Sequence, residues 1–506
     1  MIPHAPILAI VLPLFAAFLM PLVGLLSKRY NAAKACDWFA IAAMIGTILL
    51  VADMAPTVWG GHILTYKLGG WSPPWGINLA IDGLSIQMAL MIAGLGTLVI
   101  IYSAGYMQRD TRKDLFYALT LLAITGMMGI VLTGDIFNFY VFLEIMSVSS
   151  YALIAFRRDS NAIEAGIKYL FIGSLGTSLI LMSVAMLYSF VGSLNIADLG
   201  AKLATYREGA QPVPAILIAS LALFVTGVMI KVAMVPFHAW LADAFTAAPT
   251  TISALLAGPG AVVGIYWVAR LPYLPFGLPV GIILISLGLL SMVVGVLMAL
   301  TQHDFKRMLA YHVISQKGYM VLGIGLGTLG SVLGAQGGLF HLLNHSTYKC
   351  MLFMCAGAVL FRTGSQKFDE LGGLGKNMPV TALTFLIGAL AISGIPPLNG
   401  FVSKYIIYLG GVEAGLPIVT AIAVLVSALT FASFFKAFSS VFLGQRSERL
   451  RETQEAPKLM LFPMLMMAVI CVAIGLLPAL GFNIVGPAQS AAENSARYIS
   501  QVIGGI

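Results

Sequence analysis

Long apolar segments, separated by short polar ones, recur along the whole chain of 506 residues. A helix needs about 20 apolar residues to cross a bilayer, and fourteen segments approach or exceed that length. They lie at about residues 5–27, 36–56, 82–106, 115–133, 136–156, 168–191, 214–235, 249–270, 276–300, 309–328, 335–361, 379–410, 416–443 and 459–480. The pattern predicts an all-α, polytopic membrane protein with about 14 transmembrane helices.

The seventh and twelfth segments each contain a helix-breaking proline close to a lysine. Proline has no N–H, so Pro236 leaves the carbonyl of Val232 without its helical partner, next to Lys231. Prolines 396 and 397 break the twelfth segment before Lys404. A buried charge is costly in a membrane, and transporters build ion sites from broken helices beside such charges. Both lysines are therefore candidate functional residues.

The order of lysine and break differs between the two segments. Lys231 precedes its break and Lys404 follows its own, which predicts two inverted five-helix repeats. The predicted parts are residues 1–114 with helices one to three, 115–270 with the first repeat, 271–443 with the second repeat, and 444–506 with helix fourteen and the tail.

Composition and charge agree with a membrane protein. The chain is 59% hydrophobic and 9% charged, whereas about a quarter of the residues of soluble proteins are charged. The net charge of +8 does not indicate nucleic acid binding, because 18 of the 28 Lys and Arg residues fall in loops on one side of the membrane. The positive-inside rule then predicts a multi-pass protein of the cell inner (plasma) membrane with both termini outside. The first segment is predicted to be a retained span rather than a signal peptide.

The four cysteines lie in or beside apolar segments without metal-ligand spacing. We interpret Cys36, Cys350, Cys355 and Cys471 as reduced core residues. The sequence offers no ligands for an iron–sulfur cluster and no glycine-rich nucleotide loop. We therefore expect no cofactor and no redox centre of the chain's own.

A polar stripe runs along the fifth segment. Tyr140, Glu144, Ser147 and Tyr151 recur at helical spacing, which brings a carboxylate to about the middle of the membrane. A structural alternative is that neighbouring hydroxyls satisfy the glutamate and lock two helices together. The functional interpretation is favoured because carboxylates in the membrane interior usually mark ion pathways.

The eleventh segment places ionisable residues on one helical stripe. His341, His345 and Lys349 lie at positions i, i+4 and i+8. Two histidines at this spacing are able to bind a metal, but no carboxylate or thiolate stands nearby in sequence as a third ligand. A proton relay is the favoured interpretation, since imidazole titrates near physiological pH.

Three further ionisable residues are candidate relay positions. In the tenth segment His312, Ser315, Gln316 and Tyr319 are expected on one face, and Lys317 lies about 140° around the helix from His312. His238 lies with Asp243 in a predicted inner connection, 236–248, where both residues either cap helices or line an ion path.

These motifs resemble the antiporter-like membrane subunits shared by respiratory complex I, Mrp-type sodium/proton antiporters and membrane-bound energy-converting hydrogenases. The matching stretches are GDIFNFYVFLE (134–144), KVAMVPFHAWLADA (231–244), DFKRMLAY (304–311), HSTYK (345–349) and GIPPLNGFVSK (394–404). The resemblance implies an ion pair between Glu144 and Lys231. It also implies a path through Lys349 to Lys404, with His341 and His345 as relay, and other membrane subunits as partners.

One position departs from the pattern that the resemblance implies. Such proteins usually carry a lysine in helix eight, where this chain has Val262. We therefore expect hydrated space beside Val262, with Lys317 or Lys349 reaching into it to bridge the gap. The chain ends soon after helix fourteen, as in the D-type subunit of Mrp antiporters or the hydrogenase-type counterparts.

The favoured function is translocation of protons, or of sodium and protons, by one subunit of a larger membrane complex. A self-sufficient sodium/proton exchanger is one alternative. A second is an enzyme subunit with its own quinone site, and a third is a scaffold that has lost transport, for which Val262 is the main argument.

Overall fold

The computed structural model describes residues 2–108, 110–207, 211–271, 280–445 and 448–504. Its helices are α1 (Ala5–Arg29), α2 (Ala35–Trp59), α3 (Gly83–Tyr106), α4 (Lys113–Leu132), α5 (Ile136–Ile154), α6 (Ser160–Val191), α7 (Ile196–Lys202), α8 (Ala204–Arg207), α9 (Ala215–Val232), α10 (Ala239–Ala247), α11 (Thr250–Ala257), α12 (Pro259–Arg270), α13 (Gly281–Leu300), α14 (Phe305–Thr328), α15 (Val332–Thr363), α16 (Pro379–Ser393), α17 (Asn399–Glu413), α18 (Pro417–Phe442), α19 (Lys458–Leu476), α20 (Pro478–Glu493) and α21 (Ser495–Ile503). Each predicted span coincides with one of these helices or with a consecutive pair; the first residues predicted for the ninth, up to 279, lie outside the described ranges.

Eleven helical stretches within the described ranges are long and apolar enough to cross a membrane. The predicted spans outside this set are α14, α15 and the pair α16–α17. Helices α14 and α15 carry the polar side chains that lower their mean hydropathy, and α16–α17 is interrupted by prolines. The prediction of an all-α polytopic membrane protein is confirmed.

The breaks in the seventh and twelfth spans are present, and the structure adds a third. The seventh span consists of α9 and α10, so the connection predicted at 236–248 is helical from Ala239 to Ala247. Span eight is divided at Gly258 into α11 and α12. A Cβ at Gly258 would lie 3.0 Å from Cβ of Cys350, so the glycine permits close approach to α15.

One side of the helix bundle carries a small β-hairpin that the all-α prediction did not include. Strands β1 (Leu64–Lys67) and β2 (Asn78–Ile81) pair antiparallel. Helix α21 contacts the same region, because the Gln501 side chain accepts a hydrogen bond of 3.0 Å from the backbone N–H of Ile63. The C-terminal helices and the hairpin therefore share one face of the protein.

Helices α14 and α15 form the centre of the bundle. Every residue from Met308 to Leu326 and from Gly337 to Val359 is buried. The ionisable side chains on these helices consequently face other protein groups, which is the arrangement expected for charges inside a membrane protein.

Candidate functional site

The first helix break exposes the C-terminal end of α9 inside the protein. Ala233 adopts a left-handed conformation with φ of 61°, and its N–H donates to the carbonyl of Ile230 at 3.1 Å. The N–H of Met234 donates to the carbonyl of Met229 at 3.0 Å. This is the usual C-terminal turn of a helix, and it leaves the carbonyl of Val232 to be satisfied by another group.

Lys231 binds the polar stripe of α5. Its Nζ lies 2.7 Å from Oγ of Ser147 and 3.4 Å from the hydroxyl of Tyr151, and 5.5 Å from the ring centre of Tyr169. These contacts bring the predicted stripe and the predicted lysine together.

The direct ion pair expected between Glu144 and Lys231 is not formed. Within the described part of the chain, the ion pairs closer than 4.0 Å do not include Glu144. Glu144 is half-buried and lies one turn before Ser147 on α5. Ser147 takes the ammonium because its hydroxyl is within hydrogen-bonding distance, so the carboxylate and the ammonium interact through space rather than by contact.

A small cavity of about 30 Å³ lies beside Lys231. Gly260 and Gly264 of α12 line it, together with Tyr169 and Trp267. A space of this size has room for one or two water molecules, and Lys231 is the charged residue that lines it.

The hydrated space expected beside Val262 is not found there. Val262 is fully buried within the apolar core, and the cavity is lined by other residues of α12. Neither Lys317 nor Lys349 lines that cavity. The expectation was wrong about the location because Val262 points into apolar packing, whereas the neighbouring glycines leave room on the side of Lys231.

Lys404 lies at the second break. Its Nζ donates to the carbonyl of Ile392 at 2.8 Å and to Oγ of Ser427 at 2.9 Å. The ammonium also lies 4.6 Å from the centre of the Tyr319 ring. It thus binds the end of α16 from the other half of the same broken helix.

His341 connects α15 to the second break. Its Nδ1 is 3.0 Å from Oγ of Ser403, the residue before Lys404, and its Nε2 is 3.2 Å from Oε1 of Gln316. The ring centre of His345 lies 6.5 Å from that of His341. The predicted histidine stripe therefore faces α17 and α14.

Lys349 continues the stripe into an aromatic environment. Its Nζ lies 5.5 Å from the centre of the Phe434 ring and has no hydrogen-bond partner among the described residues. Both ring nitrogens of His345 also lack a partner within those ranges. These are the groups in the stripe that are free to bind a proton or a water molecule.

His312 reaches the same aromatic side chain. Its ring centre is 4.7 Å from that of Phe434, and its Nε2 is 2.8 Å from Oγ of Ser433. Ser315, one turn further along α14, has a different partner, because its hydroxyl donates to the carbonyl of Met292 at 3.0 Å.

His238 stands apart from the buried stripe. It is half-buried at the N-terminal end of α10, and its Nδ1 has no partner in the described structure. Asp243 is held by Lys168 at 3.0 Å and Arg307 at 2.9 Å. These two ion pairs tie α10 to α6 and α14.

Two further lysines bind helix ends, which sequence reasoning did not anticipate. Lys306 is fully buried, and its Nζ donates to the carbonyls of Thr246 at 2.9 Å and Ala248 at 2.5 Å. Lys436 donates to the carbonyls of Leu300 and Gln302, each at 2.8 Å. For the Lys306 contact the sequence did offer a signal, because Pro249 closely follows the residues whose carbonyls Lys306 binds.

A buried ion pair on the hairpin side was also missed. The Arg270 guanidinium lies 2.6 Å from Oδ1 of Asp82, and the two side chains are 4% and 2% exposed. Neither residue belongs to a motif, so the sequence offered no signal for the pair.

The described ranges contain no cluster of three His, Cys, Asp or Glu side chains arranged to hold a metal ion. The four cysteines are buried free thiols, as predicted.

Broken helices with lysines bound at their ends, inside a polytopic bundle, define a class of membrane protein built around buried ionisable groups. Residues 133–430 match the membrane domain of the NADH:quinone oxidoreductase/Mrp antiporter family, and residues 69–117 match the N-terminal part of complex I chain 5. The chain belongs to the NADH:quinone oxidoreductase/Mrp antiporter family.

Full-length relatives support this assignment. NADH-quinone oxidoreductase subunit N of Desulforudis audaxviator is 37% identical, over 94% of this chain and 96% of that protein. The D-type subunit of the Na⁺/H⁺ antiporter of Alkalihalophilus pseudofirmus is 32% identical, over 92% of this chain and 93% of the relative. A chain of the membrane-bound sulfane sulfur reductase, an archaeal respiratory membrane complex, superimposes with a TM-score of 0.89 at 30% identity, covering 99% of this chain and 100% of that chain.

Proposed function

We propose that this chain translocates protons, or exchanges sodium for protons, as one subunit of a multisubunit membrane complex. The groups proposed to carry the ion are Glu144, Lys231, His341, His345, Lys349 and Lys404, with His238, His312 and Lys317 as possible relay positions. The partners would be other membrane subunits of an Mrp-type, complex I-type or hydrogenase-type assembly.

The observation that carries this proposal is a set of ionisable groups inside the bundle without counterions in contact, of which Lys349 and Lys404 are fully buried and Lys231 is half-buried. Lys231, Lys349 and Lys404 form no ion pair within 4.0 Å among the described residues. Structural charges inside proteins are normally paired. Ammonium groups without a counterion are instead suited to gaining and losing protons.

The arrangement around Lys231 suggests how an ion step is coupled to distant events. Glu144 and Lys231 attract each other through space, and at an effective dielectric constant near 20 such attractions are on the order of a few kcal/mol. Movement of the carboxylate towards or away from the ammonium changes the affinity of Lys231 for its proton. A partner subunit that shifts Glu144 would thereby drive proton release.

The direct test uses the complex that contains this chain, purified by a tag on the chain expressed from its own gene. Reconstituted into liposomes and started by its own driving reaction, the complex should acidify or alkalinise the lumen. Glu144→Gln and Lys231→Ala should each remove most of this transport while leaving the complex assembled. Glu164→Gln, an exposed carboxylate on α6, is the control. Transport at the wild-type rate in both assembled variants would refute the proposal.

We further propose that the chain lies in the cell inner (plasma) membrane with both termini outside. The asymmetry of Lys and Arg between alternate loops supports this orientation. Cysteines introduced at the exposed Trp75 and at the exposed Lys367 should react with a membrane-impermeant thiol reagent from opposite sides.

The two breaks share one local conformation, which supports the proposed division into two repeats, 115–270 and 271–443. In each break the last helical residue is followed by a left-handed one, Ala233 with φ of 61° and Gly394 with φ of 74°. A proline follows each within three residues.

A further inference from the structure

At the second break, each of the last four carbonyl groups of α16 accepts a hydrogen bond. The carbonyls of Leu390 and Ala391 accept from the backbone N–H groups that follow, at 3.0 Å each. Ile392 accepts from Lys404 at 2.8 Å, and Ser393 accepts from Oγ of Ser427 at 2.9 Å. A lysine ammonium therefore binds the carbonyl oxygen of the residue four positions before Pro396. The partial negative charge of a helix C-terminus favours a cation there.

The first break has the same arrangement, but its lysine comes from elsewhere. The carbonyl of Val232, four residues before Pro236, accepts a hydrogen bond of 2.9 Å from Nζ of Lys317. Lys317 belongs to α14, in the second of the two proposed repeats, and is 4% exposed. Where Lys404 binds a break within its own span, Lys317 reaches across from one half of the protein to the other.

This contact and that of the neighbouring Gln316 connect α14 to both breaks. Lys231 precedes Val232, and Gln316 precedes Lys317. Gln316 lies 3.2 Å from His341, which in turn lies 3.0 Å from Ser403, next to Lys404. The first break is thus contacted by Lys317, and the second by Gln316 through His341.

His345 is the titratable group of α15 that lies one helical turn from both His341 and Lys349. Its ring centre is 6.5 Å from that of His341. Its two ring nitrogens have no hydrogen-bond partner among the described residues, so the neutral ring has a nitrogen available to accept a proton.

We propose that Lys317 is the proton-carrying link between the two halves of the protein. This inference rests on the proposed function. In the step, an N–H bond breaks at Nζ of Lys317 and forms at a ring nitrogen of His345, directly or through one water molecule. The neutral amine then takes the next proton from the side of Lys231. His345 passes its proton to Lys349, one helical turn further along α15, once that lysine has released its own proton and is a neutral amine, or to the neutral ring of His341.

A purely structural role is the competing explanation, because a hydrogen-bond donor alone satisfies the carbonyl of Val232. Lys317→Gln and Lys317→His separate the two explanations. Both side chains are shorter than lysine and both donate hydrogen bonds, but only imidazole gains and loses a proton. Lys317→Arg keeps the cation and the donor but does not release its proton.

The test measures ion translocation by the native complex in liposomes, with assembly checked on native gels. Lys317→Gln and Lys317→Arg should assemble and lose transport by about 100-fold, the usual contribution of a positioned proton-transfer group. Lys317→His should recover part of that loss. Transport that is equal in the Gln and His variants, or unchanged in the Arg variant, would overturn the proposal. If the Gln and His variants fail to assemble, transport by the Lys317→Arg complex decides between the two explanations.

Two controls separate this inference from the proposed function. Lys306→Arg changes the other buried lysine of α14, which binds only helix-end carbonyls, so an assembled complex should retain transport. Loss of transport in Lys231→Ala together with normal transport in Lys317→Arg would leave the proposed function standing and reject only the link.

Discussion

Lys231 donates a 2.7 Å hydrogen bond to Ser147, while Glu144, one turn earlier on the same helix, makes no direct contact with the ammonium. A serine hydroxyl thus occupies the place where a direct ion pair was expected. The carboxylate and the ammonium remain separately accessible to protons and water, which a closed ion pair would oppose.

Ser147→Ala should therefore impair transport. Without the hydroxyl, Lys231 is free to pair with Glu144, and the tighter pair holds its proton more strongly. We expect transport to fall about tenfold, since one charged hydrogen bond is worth roughly 1.5–3 kcal/mol. Ser149→Ala is a matched control, because Ser149 on the same helix bonds only the carbonyl of Ile145. Equal rates in the two variants would show that the Ser147 contact is incidental.

Lys404→Ala should be as damaging as Lys231→Ala. The substitution removes the ammonium that binds the Ile392 carbonyl and also lies above the Tyr319 ring. Proton translocation by the reconstituted complex is the measurement. Tyr405→Phe alters the adjacent, half-exposed residue of α17 and should transport normally. A Lys404→Ala complex with undiminished transport would place the path elsewhere.

Lys436→Ala should lower stability rather than transport. The lysine binds the carbonyls of Leu300 and Gln302 at the end of α13, and leaving such groups unsatisfied costs about 1–3 kcal/mol. Thermal unfolding in detergent should begin at a lower temperature, whereas transport per assembled complex should be unchanged. Lys436→Arg retains donors and should unfold like the wild type. Complete loss of transport in the alanine variant would mean that α18 contributes to the ion path.

Arg270→Met should destabilise the protein more than the double variant Asp82→Asn/Arg270→Met. The single substitution leaves a buried carboxylate without its partner, which costs about 3–5 kcal/mol. The double variant removes that charge, while asparagine still accepts from the Ser85 N–H, a bond of 3.0 Å in the wild type. The yield and melting temperature of the purified chain measure both effects. A double variant less stable than the single one would contradict the buried-charge explanation.

Much of the helical framework could be predicted because apolar length and proline position are local properties of a sequence. Pro236 correctly indicated that the Val232 carbonyl lacks its partner within the helix. The position of Lys317, about 140° around α14 from His312, correctly indicated that these two side chains have different partners. The sequence did not reveal that Lys317 is the group that binds the Val232 carbonyl, because this hydrogen bond joins residues 85 positions apart. The Val262 expectation failed for a related reason, since the side on which a small cavity opens depends on packing between helices.

The length of the stripe on α15 has an electrical consequence. His341 and Lys349 are eight residues apart, which corresponds to about 12 Å along a helix, within a hydrocarbon layer of about 30 Å. A proton that travels this distance along the membrane normal crosses at most roughly two-fifths of the transmembrane voltage. At about 2.3 kcal/mol per charge per 100 mV, that is roughly 0.9 kcal/mol. Turnover limited by this step would therefore change by at most about fivefold for each 100 mV of applied potential.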